Sequence, residues 1–160
     1  MKAPTDSATE RPLLEALLSQ KDLTLESLMS SLSGFIGKPI RVERIGDEQW
    51  ERLTGLLVDT PGLARILVRA TDPLIYQMHC ILHEVGHLLH RHASCHAIGL
   101  LEPVRNHAVN FAIVRGRLIE SGPGASDAAA LEEHEAERTA HLLAQALLAP
   151  LDAGAERTFG

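Results

Sequence analysis

The residues in this sequence with the clearest chemistry are His83-Glu84-Val85-Gly86-His87. Two histidines four positions apart on a helix lie about one turn apart, so both imidazoles can reach one zinc ion from the same side. A glutamate directly after the first histidine can accept a proton from water that the metal acidifies. His83 and His87 are therefore candidate metal ligands, and Glu84 is the candidate general base.

A helix from about Asp72 to His92 must carry these groups. Thr71-Asp72-Pro73 offers an N-cap followed by proline in the first turn, and apolar residues recur at helical spacing afterwards. At roughly 100° per residue, His79, His90, His83 and His87 fall within an arc of about 80°, with Glu84 about 60° further round. Leu74, Met78, Ile81, Leu82, Val85, Leu88 and Leu89 occupy the opposite side. The helix thus divides into an aliphatic core face and a histidine face that ends in a carboxylate. Gly86 lies beside the histidines. Glycine weakens a helix, so its expected use is to let another segment come close.

A catalytic zinc site needs a third protein ligand and an open position. A second helical pattern, about Ser126 to Leu148, ends before Pro150 and carries the best donor. Ala128, Leu131, Thr139, Leu142, Leu143 and Ala146 cluster around Glu135 on one face. A carboxylate in an apolar face calls for a cation, so Glu135 is the expected third ligand and Glu132 the reserve. Glu133, His134, Glu137, His141 and Gln145 fall on the far side, and His134 and His141 are expected to be solvated rather than ligands.

His83-Glu84-Val85-Gly86-His87-Leu88-Leu89-His90, followed by Glu135-Ala136-Glu137-Arg138-Thr139-Ala140 and Leu147-Leu148-Ala149-Pro150, resembles the ImmA/IrrE family of bacterial metallopeptidases. The resemblance covers roughly Arg65 to Pro150. It implies an α+β, zincin-like fold in which a small sheet packs with an active-site helix and a second, glutamate-bearing helix. It also implies zinc held by His83, His87 and Glu135, Glu84 as general base, and peptide-bond hydrolysis in a helix-turn-helix repressor. Glu137 stands where the family usually has Asn or Asp, and Thr139 where it has an aromatic residue. A regulatory module that binds metal and controls a repressor without cutting it is the alternative, and the intact Glu84 weighs against it.

At 160 residues the chain is long enough for one domain with its own core. A net charge of −6 with dispersed basic residues disfavours direct contact with nucleic acid, so a DNA-binding partner is expected to be a separate protein. No apolar run reaches membrane-spanning length, and the polar start does not read as a secretory signal. Two cysteines, Cys80 and Cys95, are no disulfide framework; a cytoplasmic protein with thiols rather than disulfides is expected, Cys80 serving as a small buried hydrophobe.

The expected layout is a flexible N-terminus over residues 1–10, one domain over 11–150 and a C-terminal tail over 151–160. Leu13, Leu14, Leu17 and Leu18 suggest a short helix. Leu25 to Ile36 gives a second, stopped near Gly34, Gly37 and Pro39. Ile40–Ile45 alternates as a strand; Leu53 to Val58 and Ala64 to Ala70 read as two more, joined by Asp59-Thr60-Pro61-Gly62. Residues 93–125 form a long insertion with some structure over Val109 to Leu118. His92, His96 and His107 offer a transition-state donor or a second metal contact, but each alone reads as a surface histidine.

Overall fold

The computed structural model describes residues 7–46, 53–92, 113–118 and 127–158, with side chains described over 11–46, 55–92 and 130–148. Among these residues the order is α1 (Ser7–Leu18), α2 (Leu25–Ile36), β1 (Ile40–Ile45), β2 (Leu53–Thr60), β3 (Leu63–Arg69), α3 (Leu74–Leu89), β4 (Ile113–Leu118) and α4 (Asp127–Thr158). The fold is mixed α+β, with one sheet in the order β1-β3-β2-β4.

Local chemistry sets the boundaries. Thr24 Oγ1 accepts the Ser27 amide at 3.1 Å and Ser27 Oγ accepts the Thr24 amide at 3.1 Å, a capping box that starts α2. Gly37, at φ 76°, ends it in the left-handed conformation that a side chain disfavours. The β2–β3 hairpin closes through Thr60, whose hydroxyl accepts the Leu63 amide and donates to the Leu63 carbonyl. β1 pairs parallel with β3, whereas β2 runs antiparallel to both β3 and β4.

α3 lies between the sheet and α4. Ile81, Leu82, Val85 and Leu89 share a core with Leu57, Ile66 and Val68 of the sheet, Leu28 and Leu32 of α2, and Ala140 and Leu143 of α4. Each fully buried Leu or Ile contributes about 1.5–3 kcal/mol, so this cluster fixes where α3 sits. Buried Gln77 anchors its first turn: Oε1 accepts from Arg44 Nε at 2.8 Å, and Nε2 donates to the Asp72 carbonyl at 2.8 Å.

Several boundaries differ from expectation. α3 begins at Leu74, and no side chain caps it. The Asp72 carboxylate is held instead by Arg69, at 2.7 and 3.1 Å, and that bond raises the Arg69 pKa against the opposing effect of burial. Leu74, counted above with the core face, is exposed. α1 starts at Ser7, inside the stretch read as flexible; residues 1–6 lie outside the described ones. α4 passes through Pro150 into the expected tail. A proline inside a helix loses its own amide bond and crowds the carbonyl one turn back, at a cost of about 3 kcal/mol, yet the helix continues to Thr158. The 93–125 insertion supplies β4, so part of it belongs to the sheet. The described helices include none long and apolar enough to cross a membrane.

Candidate metal centre

α4 crosses α3 in close contact at Gly86. A Cβ at that position would lie 2.8 Å from the Ala136 carbonyl oxygen and 2.9 Å from its Cα, so only glycine lets the two backbones approach this far. The contacts then run in opposite sequence order along the two helices: His79 faces Glu137 and His141, His83 faces Glu137 and Glu133, and His87 faces Glu133. Four-residue steps on both helices keep the polar groups on one seam.

At the buried end, His83 Nε2 and His87 Nε2 are 3.1 Å apart. Glu133 places Oε2 at 3.0 Å from the first and Oε1 at 3.1 Å from the second. Donors bound to one tetrahedral zinc at about 2.0–2.1 Å are separated by roughly 3.3 Å, so three side-chain donors already stand at the spacing such an ion requires. Two imidazoles and a carboxylate also suit zinc chemically. His83 and His87 are almost fully buried, and Glu133 closes the group from the solvent side.

The outer nitrogens of the two histidines are also occupied. Glu137 Oε2 lies 2.9 Å from His83 Nδ1. A carboxylate only accepts, so the Nδ1 proton points at Glu137. His87 Nδ1 lies 2.9 Å from His92 Nδ1, and His92 Nε2 lies 2.9 Å from Glu135 Oε2. From the carboxylate inward, His92 donates through Nε2, accepts at Nδ1 and thereby fixes the His87 proton on Nδ1. In the neutral form each ring then keeps its lone pair on Nε2, facing inward, the tautomer that outer carboxylates enforce on metal-bound histidines; in the metal-free protein a further proton on His83 Nε2 is donated to Glu133.

A tight turn delivers His92. Arg91 adopts φ 51°, its amide bonds the Leu88 carbonyl at 3.2 Å, and the His92 amide bonds the His87 carbonyl at 3.1 Å. This is a Schellman ending with arginine at the left-handed position, at a cost of about 1–2 kcal/mol relative to ordinary backbone. The Arg91 guanidinium stacks over Phe35 of α2, 5.0 Å from the ring centre, and cation–π attraction offsets part of that cost.

Electrostatics follow the contacts. Burial opposes charge on His83, but hydrogen bonds to Glu133 and Glu137 and the negative charge of Glu84 and Glu133 outweigh it, and its pKa is raised. Burial also opposes charge on Glu133; the hydrogen bonds and charge of His83 and His87 override it and hold the carboxyl far below the usual range. Glu135 is lowered, against its own partial burial, by the hydrogen bond from His92 and the charge of His90 and His92.

Glu84 is buried, 2% exposed, with its carboxylate against Gly55 of β2. A Cβ at Gly55 would meet Glu84 Oε1 at 3.5 Å, so the glycine leaves just enough room for the acid between helix and sheet. The β2–β4 ladder slips register between Leu53 and Gly55, and such bulges commonly re-aim backbone beside a site.

The structure therefore brings together His83, His87 and Glu84 as read from the sequence but revises the third member. Glu135 is exposed and turned toward His90 and His92, away from the paired Nε2 atoms. Glu133, placed above on the far side of its helix, stands against those two nitrogens instead. Leu131 is 70% exposed, so the apolar face of α4 is not centred on Glu135; Ala136, Ala140 and Leu143 are its buried residues. His141 is exposed, as read from the sequence, and its ring also faces His79, while Thr139 bonds His90 Nε2 at 2.7 Å. Cys80 is buried, as expected of a small hydrophobe; Cys95, His96 and His107 lie outside the described residues. Compared with known proteins, the chain matches no family model and no curated sequence.

Proposed function

We propose that the protein is a zinc-dependent endopeptidase of zincin-like architecture, with the metal held by His83, His87 and Glu133 and with Glu84 as general base. The observation that carries this reading is the meeting of three side chains from two helices, their donor atoms 3.0–3.1 Å apart, beside a buried carboxylate. Zinc bound there supplies a Lewis acid for the scissile carbonyl and acidifies water.

The protein's own residues do the rest. Glu84, walled in by Gly55 and Cys80, takes the proton of the attacking water and passes it to the nitrogen of the departing half. Glu137 and the His92–Glu135 pair hold His83 and His87 in the tautomer that keeps both Nε2 lone pairs inward. β4 is an edge of the described sheet, beside the strand that covers Glu84, where an extended peptide can add as a further strand.

The substrate class comes from the motif resemblance: a helix-turn-helix repressor, which would be met in the cytoplasm. The two departures from that family's pattern support metal chemistry here, because Glu137 bonds His83 and Thr139 bonds His90.

Glu84→Gln keeps the shape of the side chain and removes the base. With a repressor substrate, it is expected to retain zinc and lose about a hundredfold or more in cleavage rate. Fragment analysis by mass spectrometry reads the result. If Glu84→Gln and the wild type relieve repression equally and neither yields fragments, the protein acts by binding alone.

A further inference from the structure

The seam between α3 and α4 continues past the buried donors. One turn toward the start of α3, His79 Nε2 stands 3.1 Å from Glu137 Oε1, and the His141 ring is tilted at 52° to the His79 ring with centres 6.0 Å apart. Donor atoms of these three residues all lie within 4.8 Å of one another. His79 and Glu137 are partly buried and His141 is exposed, and His79 also lines an apolar cavity of about 460 Å³ together with Ile75, Met78, Leu82, Leu147 and Leu148.

We propose that His79, Glu137 and His141 form a second site for a divalent transition metal, separate from the His83–His87–Glu133 site and coupled to it through Glu137. Two imidazoles and one carboxylate favour zinc, cobalt, nickel or copper over calcium or magnesium, which take oxygen donors. The donors face one another across two packed helices, so side-chain reach requires no backbone movement. The two Glu137 oxygens are divided between the sites. Oε2 takes the His83 Nδ1 proton, and Oε1 faces His79. A cation on Oε1 draws electron density from Oε2 and weakens the support of His83, and it also repels a cation at the first site. Filling the second site therefore lowers affinity at the first, and by linkage the reverse holds equally.

The second site is the weaker. His141 is exposed and His79 partly so, so water competes for the ion and both side chains lose freedom on binding.

The experiment that tests this is a cobalt titration of metal-free protein, followed by d–d absorption and by competition with a chelator. Wild type is expected to take up two equivalents, the second released first by chelator. His79→Ala and His141→Asn should each take up one, the tight one. The His83→Ala/His87→Ala double variant should keep the weak one. Circular dichroism checks the fold of each variant, and His141 is exposed enough to be replaced without loss of packing. One equivalent in wild type, unchanged in His141→Asn, overturns the second site and leaves the first intact. Loss of the weak equivalent in the double variant overturns its independence. A single equivalent that survives the double variant but not His141→Asn overturns the first site instead.

Discussion

The two ends of the α3–α4 seam use the same residue types at the same spacing, and they differ in burial. His83 and His87 are sealed between helices, and each outer nitrogen already has a partner, so each inner nitrogen is committed. His79 and His141 keep contact with water. In the lower dielectric of the buried end, every charge–charge interaction is stronger, and a donor without a cation is more costly. Ligand identity alone does not grade the two sites; the depth of the helix crossing does. The crossing is set by Gly86, so a backbone feature with no chemistry of its own decides which histidines are deep.

The largest effect expected from breaking this arrangement is at its carboxylates. Glu133→Ala removes a direct donor and should weaken zinc binding by more than about a hundredfold, beyond what loss of an outer partner does. Glu135→Ala breaks only the chain through His92 and should cost about 10–100-fold. Chelator competition on the two variants measures both. A greater loss in Glu135→Ala would mean that zinc binds with α4 in a different helix phase.

Smaller is the effect of closing the gap at the crossing. Gly86→Ala puts a methyl 2.8 Å from backbone, which cannot swing aside, and should destabilise the metal-free protein by about 1–3 kcal/mol. Gly55→Ala meets only side chains at 3.5 Å and should be close to neutral in stability. Urea unfolding of the two variants, side by side, checks whether the crossing or the sheet contact is the tighter constraint.

The smallest expected effect is a matter of sign with pH. In the metal-free protein the raised pKa of His83 contributes stability that is complete below its ordinary value of 6.5 and fades as pH rises through the raised one. The lowered pKa of Glu133 contributes stability above its ordinary value of 4.5 and fades as pH falls through the lowered one. Zinc requires His83 without its inner proton, so metal affinity rises over the range where the His83 contribution fades. Thermal midpoints against pH with and without zinc should therefore diverge above pH 6.5. Parallel curves would remove His83 from the ligand set.

Legibility followed how sharply each element sorts its residues. α3 separates long aliphatic side chains from histidines, so its phase and the role of Gly86 could be read directly. β1 spans Ile40–Ile45 as read, although its burial alternates only over Ile40 to Val42. In α4, Ala136, Ala140 and Leu143 make the contact, and alanine marks a helix face only weakly. Leu131 then drew the reading toward an exposed side, about 100° from the true seam. Acids at Glu132, Glu133, Glu135 and Glu137 left every phase with a carboxylate to offer. A signal was present in the steps Glu133, Glu137 and His141, which repeat the spacing of His79, His83 and His87. Matching one polar stripe to the other, rather than seeking an acid in an apolar face, would have found Glu133.

The left-handed turn at Arg91 has a consequence for the order of folding. It brings His92 onto His87 across five residues, whereas Glu133 reaches His83 from 50 residues away. Closing a short local turn takes little chain entropy, and docking a distant helix must first close a long loop. The histidine half of the centre therefore assembles with α3, and the acidic half arrives when α4 docks. In metal-free refolding, His92→Ala is expected to slow folding in proportion to the stability it removes, whereas Glu133→Ala mainly speeds unfolding. The opposite partition would put the docking of α4 ahead of the α3 turn.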